Sequence, residues 1–461
     1  MATMPEQPNP PGGGLVRALG LVDCSALVVG TLIGTGVFFV AQDMVRAVHS
    51  FLWVLLAWVV GGFLSLTGAM AYAELGSLFP QSGGEYVYLR HGLGRYAGFL
   101  FGWGMFWIIR PASAATIAAG FSLAAGFLLP ALKHSLLGGF TGEQGVAALA
   151  IALLTGINYF GVRQGGRVQT LFTILKLALL LGLAIAAFAL GHGQWRHLAQ
   201  SLAAGGAHGG IRGGAPSLLG FSAALVSALW AYDGWNNLTL AGEEIRNPQR
   251  NIPRALLYGI GLVFLFYLMI NLAYFYVLGP AGIAAHRNVA GAMARVFAGA
   301  HAGALVEAAI LISAFATLNS SILSGARVPF AMARDGLFFK PLARVHSRYR
   351  TPHVALLLQA VFCIALALLG TYHILYTMTI FGEWLFYTLA VVALFGLRRR
   401  GVRGPFRAWG FPLVPAVFVL LATLMLGLTF SQHVFYSALG LLVILSGTPA
   451  YFWWRRKAAA V

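Results

Sequence analysis

The sequence predicts an all-α polytopic membrane protein with twelve transmembrane helices, and three observations carry that expectation. Of the 461 residues, 59% are hydrophobic and 9% are charged, with a mean hydropathy of +0.80, whereas soluble chains carry about 25% charged residues. Apolar runs recur along the chain, and at roughly 20 residues per span a chain of this length holds on the order of twelve. The basic residues, finally, fall unevenly on the loops between those runs.

Residues 1–14 are polar and rich in Pro and Gly. Lacking the basic start and apolar core of a signal peptide, they are expected to form a disordered cytoplasmic tail. Residues 15–454 are expected to form one transmembrane domain, and 455–461 a second cytoplasmic tail. The spans fall near 21–47, 51–78, 97–129, 145–160, 168–190, 217–241, 255–278, 303–332, 354–369, 375–397, 411–430 and 435–454. Net charge is +18, which in a soluble chain would suggest nucleic-acid binding. If the first span starts inside, however, 21 of the 30 Lys and Arg face the cytoplasm. Only Arg46, Lys133, Arg196, Arg212, Arg287 and Arg295 face outward, and Arg110, Lys176 and Arg327 fall within spans. That asymmetry favours twelve spans with both termini cytoplasmic, and no nucleic-acid partner. The two cysteines, Cys24 and Cys363, lie in apolar runs and imply no disulfide framework.

Two spans are interrupted at corresponding places. The first contains Gly30-Thr31-Leu32-Ile33-Gly34-Thr35-Gly36-Val37 and the sixth Trp230-Ala231-Tyr232-Asp233-Gly234-Trp235-Asn236-Asn237. Glycines let a helix unwind, and backbone freed at membrane depth must line a cavity or find a ligand. Spans one to five (21–190) and six to ten (217–397) make blocks of similar length, with spans eleven and twelve (411–454) outside them. Breaks in the first helix of each block point to an inverted-repeat transporter with a midplane site. Gly30 and Gly34 could instead serve close helix packing, since they form a GxxxG pair. An unpaired Asp233 is harder to explain away, because a carboxylate within a span costs about 3 kcal/mol.

Those residues carry a family resemblance. Ile33-Gly34-Thr35-Gly36-Val37-Phe38 resembles the GSG motif of the amino acid, polyamine and organocation (APC) superfamily, with Thr35 where Ser is usual. Tyr72-Ala73-Glu74-Leu75-Gly76 followed by Pro80-Gln81-Ser82-Gly83-Gly84-Glu85-Tyr86 resembles its second-span end and first cytoplasmic loop. Arg110-Pro111-Ala112-Ser113, the span-six stretch with Glu243-Glu244-Ile245-Arg246-Asn247-Pro248, and Ala331-Met332-Ala333-Arg334-Asp335-Gly336 are similar to the L-type amino acid transporter (LAT) family. The similarity includes that family's bacterial serine/threonine exchanger-like members. It implies a leucine-transporter-like five-plus-five inverted repeat in a bacterial cytoplasmic (inner) membrane, and sodium-independent exchange of L-α-amino acids.

The residues suggest how such a substrate is held. Free N–H groups at the start of the helix after Gly34, Thr35 and Gly36 suit a carboxylate. The carbonyls of Trp230, Ala231 and Asp233 suit an ammonium, and the resemblance adds that of Ile33. It also implies that Trp230 gates the bound substrate, the alternative being a core or interfacial Trp. Tyr232, Asn236 and Asn237 are expected to shape the side-chain pocket, although Asn236 and Asn237 could equally satisfy the unwound backbone. Asp233 leaves substrate charge open: neutral amino acids are favoured, with Lys, Arg or ornithine as the alternative should Asp233 face the substrate side chain.

Lys176 sits two turns into span five, where snorkelling is the plain alternative. The resemblance implies that its ammonium fills the position of sodium in sodium-coupled relatives, bridging the broken first helix and span eight, with Ser320 and Ser321 as expected neighbours. Proton coupling follows if Lys176 titrates during the cycle. Glu74, Arg110, Glu307 and Arg327 are expected in structural or gating ion pairs. No GxxxxGK[ST] loop occurs, which excludes an ATP-driven pump within the chain, and no cofactor or metal is expected. A channel or a membrane-embedded enzyme remains the non-carrier alternative. Eukaryotic L-type carriers join a heavy subunit through a cysteine in the loop after span three. Residues 130–145 have none, so no disulfide-linked heavy subunit is expected.

Overall fold

Helices and helical turns account for all regular structure among the described residues, apart from one isolated bridge. The computed structural model describes residues 15–34, 36–134, 140–190, 193–198, 217–369, 372–432 and 434–459. Thr35 and the expected N-terminal tail lie outside them. The helices are α1 Leu21–Leu32, α2 Gly36–Val48, α3 Phe51–Leu78, α4 Glu85–Gly92, α5 Arg95–Gly104, α6 Arg110–Leu128, α7 Gly142–Tyr159, α8 Val162–Ala189 and α9 Leu218–Ala231. They continue as α10 Asn237–Leu240, α11 Pro248–Ala285, α12 Val289–Gly325, α13 Arg327–Arg334, α14 His353–Leu369, α15 Tyr372–Arg399, α16 Leu413–Gln432, α17 Val434–Leu445 and α18 Gly447–Ala459.

Nine helical stretches among the described residues are long and apolar enough to cross a bilayer, so this is a multi-pass membrane protein. They fall on expected spans one, two, three, five, seven, eight, ten, eleven and twelve. Span four falls on the 18-residue α7, and spans six and nine on the shorter apolar helices α9 and α14. Helix also runs where loops were expected. Val289–Gly299 leads into span eight through a bend at Gly299, whose φ of 70° breaks the helical path. α4 lies between spans two and three, and α18 continues to Ala459, past the start of the expected C-terminal tail.

Local chemistry fixes several boundaries. The Thr141 hydroxyl accepts from Gln144 N at 3.3 Å while Gln144 Oε1 accepts from Thr141 N at 2.8 Å, a reciprocal start to α7. Asn288 caps α12 through Gly291 N at 2.9 Å. A π-helical turn at Met105–Ile109 joins α5 to α6, and it precedes Arg110 and Pro111 within the third span.

Burial separates inside from outside. The most apolar stretch of α1 and α2 is 88% buried, against 28% for that of α8 or α16. The first span is therefore central, and α8 and α16 present most of their apolar surface to lipid. α1 packs on α8, α11 and α12, while α9 packs on α2 and α3. The segments that precede α1 and α11 are also tied together, where Ala18 N and Leu19 N donate to Glu244 O and Arg246 N donates to Leu19 O, all within 3.0 Å.

Candidate functional site

The first break is a short turn held by its neighbours. Gly34 N donates back to Leu32 O at 2.8 Å, so one N–H expected to meet a substrate is already engaged. Gly36 opens α2, whose first N–H groups have no partner within the helix. A Cβ on Gly30 would lie 1.9 Å from Gln169 Nε2 and 2.4 Å from Thr173 Oγ1. The packing role considered for Gly30 is therefore real: its missing side chain lets α1 lie directly on α8.

That approach brings Lys176 beneath the break. Lys176 is 1% exposed, which rules out snorkelling in this structure. Its ammonium donates to Gly30 O at 2.5 Å and to Ile33 O. From α12, Ser313 Oγ donates to Ile33 O at 2.8 Å and Thr317 Oγ to Gly30 O at 3.0 Å. An ammonium and two hydroxyls thus gather the carbonyls that unwinding has freed. Two expectations need correction. The Ile33 carbonyl, expected to receive the substrate ammonium, is occupied by Lys176 and Ser313. Ser320 and Ser321 bond elsewhere: Ser320 to the Thr31 hydroxyl, and Ser321 to Arg110 Nη1 at 3.4 Å. The hydroxyls facing the lysine's carbonyls come one and two turns earlier on the same helix.

The second break follows the end of α9 at Ala231. Gly234 has a φ of 99° and accepts from Asn237 N at 3.1 Å, which starts α10. Trp230 O accepts from Asp233 N at 3.1 Å. Tyr267 Oη, on α11, lies 2.5 Å from Leu32 O and 2.8 Å from Ala231 O, so one hydroxyl ties the two breaks together. The breaks also touch directly. A Cβ on Gly36 would meet Ala231 Cα and Cβ at 3.2 Å and Trp230 Cδ1 at 3.5 Å, and one on Gly234 would meet Thr31 Cγ2 at 2.4 Å.

A cavity of about 40 Å³ lies at this crossing, lined by Gly34, Gly36, Trp230, Ala231, Asp233 and Asn237 from the two breaks. Arg110 and Ser113 from α6, Thr317 and Ser321 from α12, and Glu383 from α15 also line it. Asp233 Oδ1 accepts from Tyr387 Oη at 3.0 Å, and its carboxyl is within hydrogen-bond reach of Glu383. Arg110 Nη2 is 3.9 Å from Glu383 Oε1. One guanidinium therefore faces two carboxyls on the cavity wall. Asn237 Oδ1 is buried without a hydrogen-bond partner among the described residues, leaving it able to accept from a ligand. Tyr232 and Asn236 do not line this cavity. The Tyr232 ring packs on Trp58 and Tyr267, and Asn236 Nδ2 donates to Glu85 Oε1 at 2.6 Å.

A family model described as amino acid permease matches residues 19–447, a range that takes in both breaks and the whole cavity wall. The chain belongs to the amino acid permease family. This permease is 33% identical to the serine/threonine exchanger SteT of Bacillus subtilis, over 97% of its own length and 99% of that relative. It is 31% identical to the mouse b(0,+)-type amino acid transporter 1, covering 95% and 88%, and 30% identical to the human large neutral amino acids transporter small subunit 2, covering 97% and 83%. It is a transporter and not an enzyme.

Four residues of the permease's site escaped the sequence reading. Ser313 and Thr317 resemble the many helical hydroxyls that bond back to the preceding turn, as Thr317 also does to Ser313 O. Tyr267 lies in an apolar span with no local mark. Glu383 did have a signal, a lone carboxylate in the apolar run of span ten. Of the other residues expected in ion pairs, Arg327 and Glu74 have charged partners, whereas Glu307 is met by a neutral amide. Arg327 Nε is 2.6 Å from Glu244 Oε1, both side chains fully buried, and Arg398 Nη2 is 2.6 Å from Glu74 Oε2. Glu307 accepts from Asn288 Nδ2.

Proposed function

We propose that this permease is a sodium-independent exchanger of neutral L-α-amino acids working by alternating access in a bacterial cytoplasmic membrane. The reading includes twelve spans with both termini cytoplasmic, ten of them in a five-plus-five inverted repeat, and no disulfide-linked heavy subunit. The observation that carries it is the Lys176 ammonium seated on the Gly30 and Ile33 carbonyls. A fixed cation at the break supplies the charge that a sodium ion would supply, so the site needs none.

Substrate would lie across the two breaks. Its carboxylate would face the start of α2 at Gly36, where free N–H groups and the helix dipole favour an anion. Its ammonium would face the Trp230, Ala231 and Asp233 carbonyls, of which that of Ala231 keeps a lone pair beyond the bond it accepts from Tyr267. Thr35 would contribute to the carboxylate site and Trp230 would cover the substrate. Asn237 Oδ1, buried without a partner among the described residues, would accept a further hydrogen bond from it. The cavity holds little more than a water molecule or two, so admitting an amino acid requires the lining helices to part, as alternating access demands. Backbone recognition is indifferent to the side chain, which fits the range of substrates in the relatives' names.

The second reading is a carrier of Lys, Arg or ornithine, favoured by the two carboxyls that share one guanidinium on the cavity wall. A substrate cation, or a proton, would balance the second carboxyl. The purified chain in liposomes loaded with unlabelled serine should accumulate labelled serine in choline medium as fast as in sodium medium. A requirement for a sodium gradient overturns the role given to Lys176. Competition by a panel of amino acids separates the readings: stronger competition by arginine and lysine than by serine, threonine or leucine replaces the neutral reading with the cationic one.

A further inference from the structure

A second cavity, of about 580 Å³, opens at the cytoplasmic end of α15, far larger than the one between the breaks. Four arginines line it, Arg398, Arg399, Arg403 and Arg407, with Glu74 the sole carboxylate on its wall. Glu74 is fully used. Its Oε1 accepts from Arg398 Nε at 2.8 Å, and its Oε2 from Arg398 Nη2 at 2.6 Å and Ala408 N at 2.7 Å. Arg398 is further fixed by its guanidinium stacking 4.1 Å over the Phe411 ring. Glu74 and Arg398 thus form a neutral, rigid floor. Arg399, Arg403 and Arg407 are exposed, and none has a carboxylate within ion-pair distance among the described residues. Three positive charges therefore converge on one cavity without compensation, more than topology alone asks of a single pocket.

The surroundings decide what kind of anion fits. The cavity's wall includes Phe411 and Pro412, which lead directly into α16. From there Leu413, Val417, Leu420 and Leu424 are exposed at 71%, 37%, 68% and 53%. Their spacing of four, three and four residues puts them on one helix face, which in a membrane protein faces acyl chains. Trp409, 68% exposed beside the cavity, has the amphipathic ring that settles at the headgroup level. An arginine-lined cavity at the interface that continues into an apolar stripe matches a phosphate-bearing headgroup with its chains below.

We propose that this cavity is a binding site for an anionic phospholipid, with Arg399, Arg403 and Arg407 holding the phosphate and the α16 face holding an acyl chain. The test uses the full-length permease in a neutral detergent, titrated with phosphatidylglycerol, phosphatidylcholine or inorganic phosphate and read by native mass spectrometry. One tightly retained phosphatidylglycerol per chain is expected, with phosphatidylcholine retained far less. Replacing the three arginines together (Arg399→Gln, Arg403→Gln, Arg407→Gln) should weaken that retention on the order of a hundredfold. A control variant of equal charge change on exposed positions elsewhere (Lys340→Gln, Arg344→Gln, Arg348→Gln) should leave it unchanged. The unfolding midpoint of each variant without lipid confirms that all three chains are folded. Equal loss in both variants, or equal retention of phosphatidylcholine, overturns the site. Displacement of phosphatidylglycerol by inorganic phosphate at matching concentration shows a free-anion site and overturns the lipid assignment.

Discussion

Lys176 combines a desolvated ammonium with backbone carbonyls that have lost their helical partners, so each offsets the other's cost of burial. Removing it asymmetrically affects the site. In Lys176→Ala the Ile33 carbonyl keeps Ser313 and the Gly30 carbonyl keeps Thr317, so the break remains partly satisfied. What is lost is the charge that holds α1 to α8. Exchange by Lys176→Ala in liposomes should fall at least tenfold, while serine affinity measured at equilibrium changes by no more than a few fold. Equal losses in both would make Lys176 a substrate-binding residue instead. The Arg327–Glu244 pair is a different case, because both groups are fully buried and bidentate. Truncating one partner leaves an uncompensated charge, and Arg327→Met is expected to lower stability by about 3–5 kcal/mol, read as a reduced unfolding midpoint. Glu383 bears on selectivity. If neutral substrates are preferred because Arg110 balances the cavity, Glu383→Gln should preserve serine exchange within a few fold, whereas a selective loss of arginine competition would favour the cationic reading.

At the scale of elements, the two breaks function as one object because glycines let them touch. Gly234 is the sharper case: its φ of 99° strains any L side chain, and a Cβ there would meet Thr31 Cγ2 at 2.4 Å. Gly234→Ala should therefore cost about 1–3 kcal/mol and slow exchange. A thermal midpoint and transport rate both unchanged would show that the crossing is not held as described. These breaks were legible in the sequence because glycine and polar residues interrupting an apolar span have a physical cost wherever they sit. Lys176 was legible for the same reason. The partners were not. Whether Ser313 or Ser320 faces the lysine's carbonyls depends on how α12 is rotated against α1. Neither residue's neighbours record that rotation, since a hydroxyl facing lipid or core can bond to its own helix. Tyr232 shows the same gap: its position beside Asp233 fixed its place in the break but not its direction, which Trp58 and Tyr267 determine from other helices. The helix at Val289–Gly299 escaped because it is too short to read as a span.

The whole molecule carries its orientation in its charge. With 21 Lys and Arg assigned to one side and 6 to the other, inserting the chain the opposite way would carry the larger set across the bilayer. The ion pairs add weight to the same side: Glu74 with Arg398, Glu243 with Arg334 and Glu244 with Arg327 all join segments at the expected cytoplasmic ends. The native cysteines make this testable without removing them, because Cys24 and Cys363 are both buried and unpaired and should be silent to a membrane-impermeant maleimide. Ala131, on the loop after the third span, and Ser347, on the loop after the eighth, are both exposed positions. In intact cells Ala131→Cys should be labelled and Ser347→Cys should not, and permeabilised cells should give both. The reverse pattern would invert the topology, and with it the side on which the arginine-lined cavity meets the membrane.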